Sequence, residues 1–368
     1  MVAENTPMPL SGLYQDISPS DYREADDRTS DGERTRVIFS TDFGLGLING
    51  RFGGEAGPAP VDDAYAVALA AANSDRFDVR GLVITFGNDV MLPQLRAAER
   101  GLHELELGFP VVPGAQVPFS NPPVQFFDGR QLPDWCVNDG VRFMADELRE
   151  GPLTVFAIGP FTDLACLVQN FPIEARNLEK IVALAGGHGE PLILGGTPVP
   201  DLNFTVDPLA LKILLAHSDI SFVAMMFEVS STAAISAPQL HGLASGPSPG
   251  GRYVGEASLP NATETPGGMI PFDAHTVNYL LNPDAYKCFD GGFTLEVGQP
   301  SPDPTPQNQF VVGPSLGGRA IVAATPGRVS ISRLCSSNEC SLPSRKAPPR
   351  TTRSRASPAG DRLRPCAQ

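Results

Sequence analysis

Three carboxylates frame the stretch Ser40 to Ala72, STDFGLGLINGRFGGEAGPAPVDDAYAVALAAA. Asp42 stands where an apolar run ends, and Asp62-Asp63 stand where a helical pattern begins. If those ends meet, three carboxylates converge, and a hard divalent cation relieves the repulsion that convergence brings. The pair also suits a plain structural role, because acids favour the first turn of a helix. In AIGPFTDLA the main-chain carbonyl of Ile158 precedes a Gly159-Pro160 turn of the kind that opens helices. In DLNFTVDPLAL, Asp201 and Asn203 lie two apart, so on an extended segment both face one way. A carboxylate and an amide so placed can grip the vicinal hydroxyls of a sugar, whereas Asp207 before Pro208 reads as a helix cap. PFDAHTVNYLL supplies Asp273, as a cap or as another metal oxygen, and His275, one turn from Phe272. A lone helix histidine serves packing as readily as chemistry.

Positioning these residues requires a strand-helix alternation. RVIFSTD, VRGLVITFGN, PLTVFAIGP, KIVALAGG and ISFVAMMFEV read as strands. DDAYAVALAAAN, LPQLRAAERGLHELEL, VRFMADELRE, FTDLACLVQNF, DPLALKILLAHS and PFDAHTVNYLLNP read as helices. The alternation predicts an α/β fold with an open, doubly wound, mostly parallel sheet flanked by helices. In such sheets ligands bind beyond the carboxyl ends of the strands, which would gather Asp42, Asn88, Gly159, Gly186-Gly187 and Glu228 on one rim. After Ser236 the sequence reads as Gly-, Pro- and Ser-rich loop (LASGPSPGGRY, NATETPGG), and FTLEVG with QFVVG reads as a closing hairpin.

The 368 residues allow one large core or two modest ones. No apolar run approaches the ~20 residues that span a membrane, and the N-terminus lacks the basic start and apolar stretch of a secretory signal. Six cysteines without a CxxC pair suggest neither zinc nor a disulfide framework, and point to a reducing, cytoplasmic setting. The net charge is −14; from Arg333 onward the chain carries +6, which leaves −20 on the rest. An acidic body disfavours nucleic acid and suits a cation-centred site, and the Ser-, Pro- and Arg-rich tail reads as disorder. The expected organisation is a flexible leader over 1–35, a catalytic domain over 36–330 and a basic tail over 331–368.

Taken in order, these segments resemble the inosine-uridine-preferring nucleoside hydrolase family. Its signature, DTDPGxDDAxAL, is matched in two halves by STDFG and VDDAYAVAL; ITFGN, VFAIGPFTDLA, IVALAGG, DLNFTVDPLAL and PFDAHTVNYLLNP follow in the family's order. The resemblance covers about residues 36 to 290. It implies hydrolysis of the N-glycosidic bond of ribonucleosides through a calcium-bound water. The ion is implied to rest on Asp42, Asp63, the Ile158 carbonyl and Asp273, and the ribose on Asp62, Asn88, Asp201 and Asn203. Asp42 is then the favoured general base. The partner is a small-molecule nucleoside, with no nucleic acid or membrane, and relatives of this type often form homo-oligomers.

Departures from the pattern set further expectations. Residues 45–60 interrupt the signature, as a lid or as extra sequence from a faulty gene model. Ser40 replaces its leading Asp, and Asp201 stands where Glu is usual. Phe272 stands where many members carry a His that acts on the leaving base, a role His275 could take over. Phe127-Asp128-Gly129 is a remnant of another family loop, and Trp135, Phe126, Phe127 and Tyr279 are candidates to stack a base. A catalytically impaired riboside-binding protein and another metal-dependent hydrolase are the competing functions.

Overall fold

The computed structural model describes residues 23–24, 34–47, 60–119, 136–187, 192–194, 197–217, 219–264, 267–297, 308–313 and 320–326. The strands are β1 (Arg23–Glu24), β2 (Thr35–Thr41), β3 (Phe77–Ile84), β4 (Val111–Pro113), β5 (Leu153–Ile158), β6 (Leu178–Leu184), β7 (Leu192–Leu194), β8 (Thr197–Val199), β9 (Phe222–Met225), β10 (Tyr286–Val297), β11 (Asn308–Gly313) and β12 (Ala320–Pro326). The helices are α1 (Asp62–Ala72), α2 (Met91–Glu104), α3 (Asp139–Glu150), α4 (Thr162–Asn170), α5 (Leu202–Thr205), α6 (Pro208–Leu215), α7 (Phe227–Ser230), α8 (Ala237–Ala244), α9 (Pro249–Glu264) and α10 (Ala274–Leu281). The main sheet runs β1-β10-β12-β9-β6-β5-β2-β3-β4. Every pairing from β12 to β4 is parallel, and β10 closes that edge antiparallel to β12, β11 and β1. Helices cover the sheet, so its central strands are buried toward their carboxyl ends, and all six residues of β5 are buried. The open, doubly wound sheet is as expected, and the closing hairpin is β10 with β11.

The winding fixes where a ligand can sit. From β2 the chain moves outward through β3 to β4, whereas β5 pairs on the other side of β2 and leads to β6 and β9. The order therefore reverses between β2 and β5, and the crevice beyond the carboxyl ends of these strands is the place for a site. Thr41 pairs in register with Ile84 and with Ile158, so the residues that follow all three strands emerge side by side. Gly159 makes this approach possible: a Cβ there would lie 2.7 Å from the Asp42 backbone nitrogen and 2.9 Å from the Thr41 carbonyl carbon. Because those neighbours are backbone, Gly159→Ala is expected to cost ~1–3 kcal/mol, as overpacking does. Denaturant unfolding of the purified variant checks this.

Three readings of the sequence are corrected. The region after Ser236 is helical: Ser236 and Gln239 form a capping box that opens α8, and α9 follows. A glycine outside those loop-like stretches lets the two helices touch, since a Cβ at Gly255 would lie 2.5 Å from the Ala244 nitrogen. The run ISFVAMMFEV ends as a strand at Met225 and turns into α7. Cys136 and Cys166 form a disulfide that ties the approach to α3 onto α4, so the cysteines no longer argue for a reducing compartment. Among the described residues no helix is long and apolar enough to cross a membrane.

Candidate active site

A cavity of about 220 Å³ opens at the switch point, and its polar lining comes from separate elements. Asp42 follows β2, Asn88 lies in the loop after β3, and Ile158 ends β5. Asp62 and Asp63 are the first residues of α1, Asn203 lies in α5, and Asp273 stands just before α10. The four carboxylates and both amides are buried. Asp62, Asp63 and Asp273 bring carboxylate oxygens within 4.8 Å of one another.

The local hydrogen bonds show what each group is free to do. The Asn88 backbone N–H donates to Asp42 Oδ2 at 2.9 Å, and its side-chain amide donates to the Asp42 carbonyl at 2.9 Å. These bonds fix Asp42 against the end of β3. Thr41 donates its hydroxyl to Asp63 Oδ1, and the Asn203 amide donates to the Leu184 carbonyl at 3.1 Å. Neither Asp62 nor Asp63 is the N-cap of α1, whose cap position is Val61. Asp273 does hold the cap position of α10, but its side chain makes no capping bond. Its Oδ1 is buried without a hydrogen-bond partner.

Without a cation the cluster resists ionisation. Burial, and then the Asp62 charge, push Asp42 up to about 8. Burial pushes Asp62 up to about 6. Asp63 is raised well above the ordinary carboxylate range by burial and then by Asp42 and Asp62; Asp273 is raised by burial and then by Asp62, Asp63 and Asp42. An orphaned buried oxygen in an all-carboxylate cluster fits a hard divalent cation, which supplies the positive charge and the missing partner together.

A pH dependence follows. The folded, metal-free protein holds protons that the unfolded chain releases at about pH 4. The contribution of these carboxylates to stability is therefore greatest below that value and falls as pH rises toward about 8. The thermal midpoint in chelator should drop between about pH 5 and pH 8, while the upward shift on adding calcium should grow over the same interval.

Two expected site residues are not in the cavity lining. Asp201 caps α5, its carboxylate accepting from the Gly186 N–H at 2.7 Å and the Phe204 N–H at 3.1 Å. Residues 202–205 form a helical turn rather than an extended segment, so Asp201 and Asn203 part ways and only Asn203 reaches the cavity. His275 is likewise shut away: its Nδ1 lies 2.9 Å from the Tyr286 hydroxyl, and burial pulls its pKa down to about 4. Helix α10 begins at Ala274, so Phe272 precedes it and turns to the cavity while His275 turns to the core. Tyr279 is also core, with its ring 6.0 Å from that of Tyr286.

Trp135, Phe126 and Phe127-Asp128-Gly129 lie outside the described residues, as do 48–59 of the interruption and the tail from 327. The described start of the interruption packs inward, with Leu45 fully buried, and Pro60 at its far end lines the cavity. Sequence reasoning missed Thr41, Phe227, Asn261 and Met269. The last two come from the region read as loop, and nothing in their spacing marks them.

Comparison with known proteins shows the family and the fold. The sequence model of the "Inosine-uridine preferring nucleoside hydrolase" family matches residues 56–328. An uncharacterised protein of Schizosaccharomyces pombe is 29% identical over 251 residues, which are 61% of this chain and 78% of its own length. The pyrimidine-specific ribonucleoside hydrolase RihA of Citrobacter koseri is 33% identical over 194 residues, 48% of this chain and 60% of its own length. In fold, the chain is similar to the plant nucleoside hydrolase PpNRh1 (TM-score 0.61, 19% identity, 82% of this chain and 96% of that one). It is equally similar to an inosine-guanosine nucleoside hydrolase (TM-score 0.61, 16% identity, 82% and 97%). With the match extending over most of its length, the chain belongs to the inosine-uridine preferring nucleoside hydrolase family.

Proposed function

We propose that this protein hydrolyses the N-glycosidic bond of ribonucleosides, releasing ribose and the free base, with calcium in the carboxylate cluster. The observation that carries this reading is the gathering of Asp62, Asp63 and Asp273 within 4.8 Å at the switch point beside Asp42. Asp63 and Asp273 would hold the ion, with Asp42 and the Ile158 carbonyl completing an all-oxygen shell of the kind calcium prefers over softer metals. An ion held there would lower the pKa of a coordinated water and help orient the ribose diol. Asp62 accepts from the ribose hydroxyls. So do Asn88 and Asn203, whose amide nitrogens already donate to backbone carbonyls. Asp42, held by the Asn88 N–H, takes the proton of the attacking water. The surrounding carboxylates stabilise the positive charge that builds on the sugar as the bond to the base breaks. Asp201 supports Asn203 by capping its helical turn.

The test is ribose release from inosine and from uridine by purified protein, with calcium and with chelator. Release that stops on chelation and returns with calcium is the expected result. Binding of calcium and nucleoside without release would make the protein a riboside-binding member of its family.

A further inference from the structure

The turn that carries Asn88 is held from outside the cavity. Gln94, in the first turn of α2, is fully buried, and both ends of its amide are used. Its Nε2 donates to the Thr85 carbonyl, just past the end of β3, and its Oε1 accepts from the Asp89 N–H. The amide therefore bridges the two ends of the segment Thr85–Asp89, with Phe86, Gly87 and Asn88 between them. The entry to the segment has a second anchor. The Phe86 N–H donates to the Ala115 carbonyl at 3.0 Å, and the Ala115 N–H donates to Oδ2 of the buried Asp163 at 3.0 Å. Position matters here because the segment rests directly on Asp42. A Cβ at Gly87 would lie 2.1 Å from Asp42 Oδ2, and the Asn88 N–H donates to that same oxygen.

We propose that Gln94 is a positioning residue for the hydrolysis: by closing the Thr85–Asp89 segment it sets where the Asn88 N–H stands, and so the direction in which Asp42 presents its carboxylate. The inference rests on the ribohydrolase reading above. Gln94 is not part of the cavity lining, so it acts through the backbone it holds. An amide suits the place because it offers a donor to a carbonyl and an acceptor to an N–H from one buried side chain. An apolar side chain of the same length would leave both backbone groups without that partner. A misplacement of about 1 Å in a catalytic geometry costs on the order of 10²-fold in rate, and here that loss would fall on the proton acceptor.

The experiment is a double-mutant cycle on kcat and KM for inosine and uridine with calcium, using Gln94→Met, Asp42→Asn and the pair. Gln94→Met alone is expected to lower kcat/KM by on the order of 10²-fold, with the larger part in kcat, while the calcium-induced rise in thermal midpoint persists. Gln94→Glu keeps an acceptor for the Asp89 N–H and should lose less. With Asp42 already Asn, the direction of the carboxylate no longer counts, so adding Gln94→Met should cost less than about threefold more. Equal fold-losses in the two backgrounds, a change in KM alone, or parent-like activity of Gln94→Met would overturn the inference and leave the ribohydrolase reading intact. Should Gln94→Met not fold, Gln94→Glu takes its place in the cycle with the same outcomes. An unaltered protein that binds calcium and turns over neither nucleoside would remove the ribohydrolase reading, and this inference with it.

Discussion

Asp63→Asn is expected to lower kcat/KM for nucleoside hydrolysis by at least ~10³-fold, a loss of about 4 kcal/mol of transition-state stabilisation. Asp63 is buried in the centre of the cluster, where it takes a bond from Thr41 and shares the proposed ion with Asp273. An amide there keeps the size of the side chain but removes one of the charges that hold the cation. The same change should leave the metal-free protein at least as stable as the parent at neutral pH. Burial and the charges of Asp42 and Asp62 oppose ionisation of the native carboxyl, and the amide carries no such penalty. The calcium-induced rise in thermal midpoint should be lost in parallel, since an ion that binds the folded state stabilises it by mass action. Activity within tenfold of the parent, with the calcium shift retained, would remove Asp63 from the site.

Asp42→Asn is the second large effect, and it should look different. The amide oxygen can still accept the Asn88 N–H and still offer a neutral ligand to calcium, so folding and the calcium shift should largely persist. What is lost is the proton acceptor. The expected result is a fall in kcat of ~10²–10⁴-fold with KM changed only a few-fold, the signature of an interaction made mainly in the transition state. A change in KM alone would mean that Asp42 only binds the sugar. Single-turnover and steady-state kinetics on one preparation separate these outcomes.

The parts of this site that were legible in the sequence are those set by local pattern and by sheet topology. Asp42 ends an apolar run and Asp62-Asp63 open an alanine-rich one, so a doubly wound sheet puts both on one rim however long the connection between them. Asn88, Ile158 and Asp273 reach the cavity for the same reason, as residues that end strands or begin a helix. What local pattern does not carry is how a side chain is used once tertiary partners arrive. Asp201 is a plausible sugar ligand until the Gly186 N–H comes within 2.7 Å of it. His275 is a plausible acid until α10 starts one residue after Asp273 and turns the imidazole toward Tyr286. Another part of the cavity lining was hidden differently. Asn261, Met269 and Ile270 sit in or beside a region whose glycines and prolines read as loop, although Gly255, outside those stretches, lets α9 lie against α8. The Cys136–Cys166 bond joins residues 30 apart with no motif to announce them.

The central claim is that the carboxylates on either side of residues 43–61 form one metal-and-ribose site. The most direct measurement is a crystal structure of the protein grown with calcium and ribose. The expected result is one ion bounded by Asp63 and Asp273 with the Asp42 carboxylate beside it, and the sugar diol between that ion and Asp62. An ion bound elsewhere, or ribose seated away from Asp62 and Asn88, would contradict it.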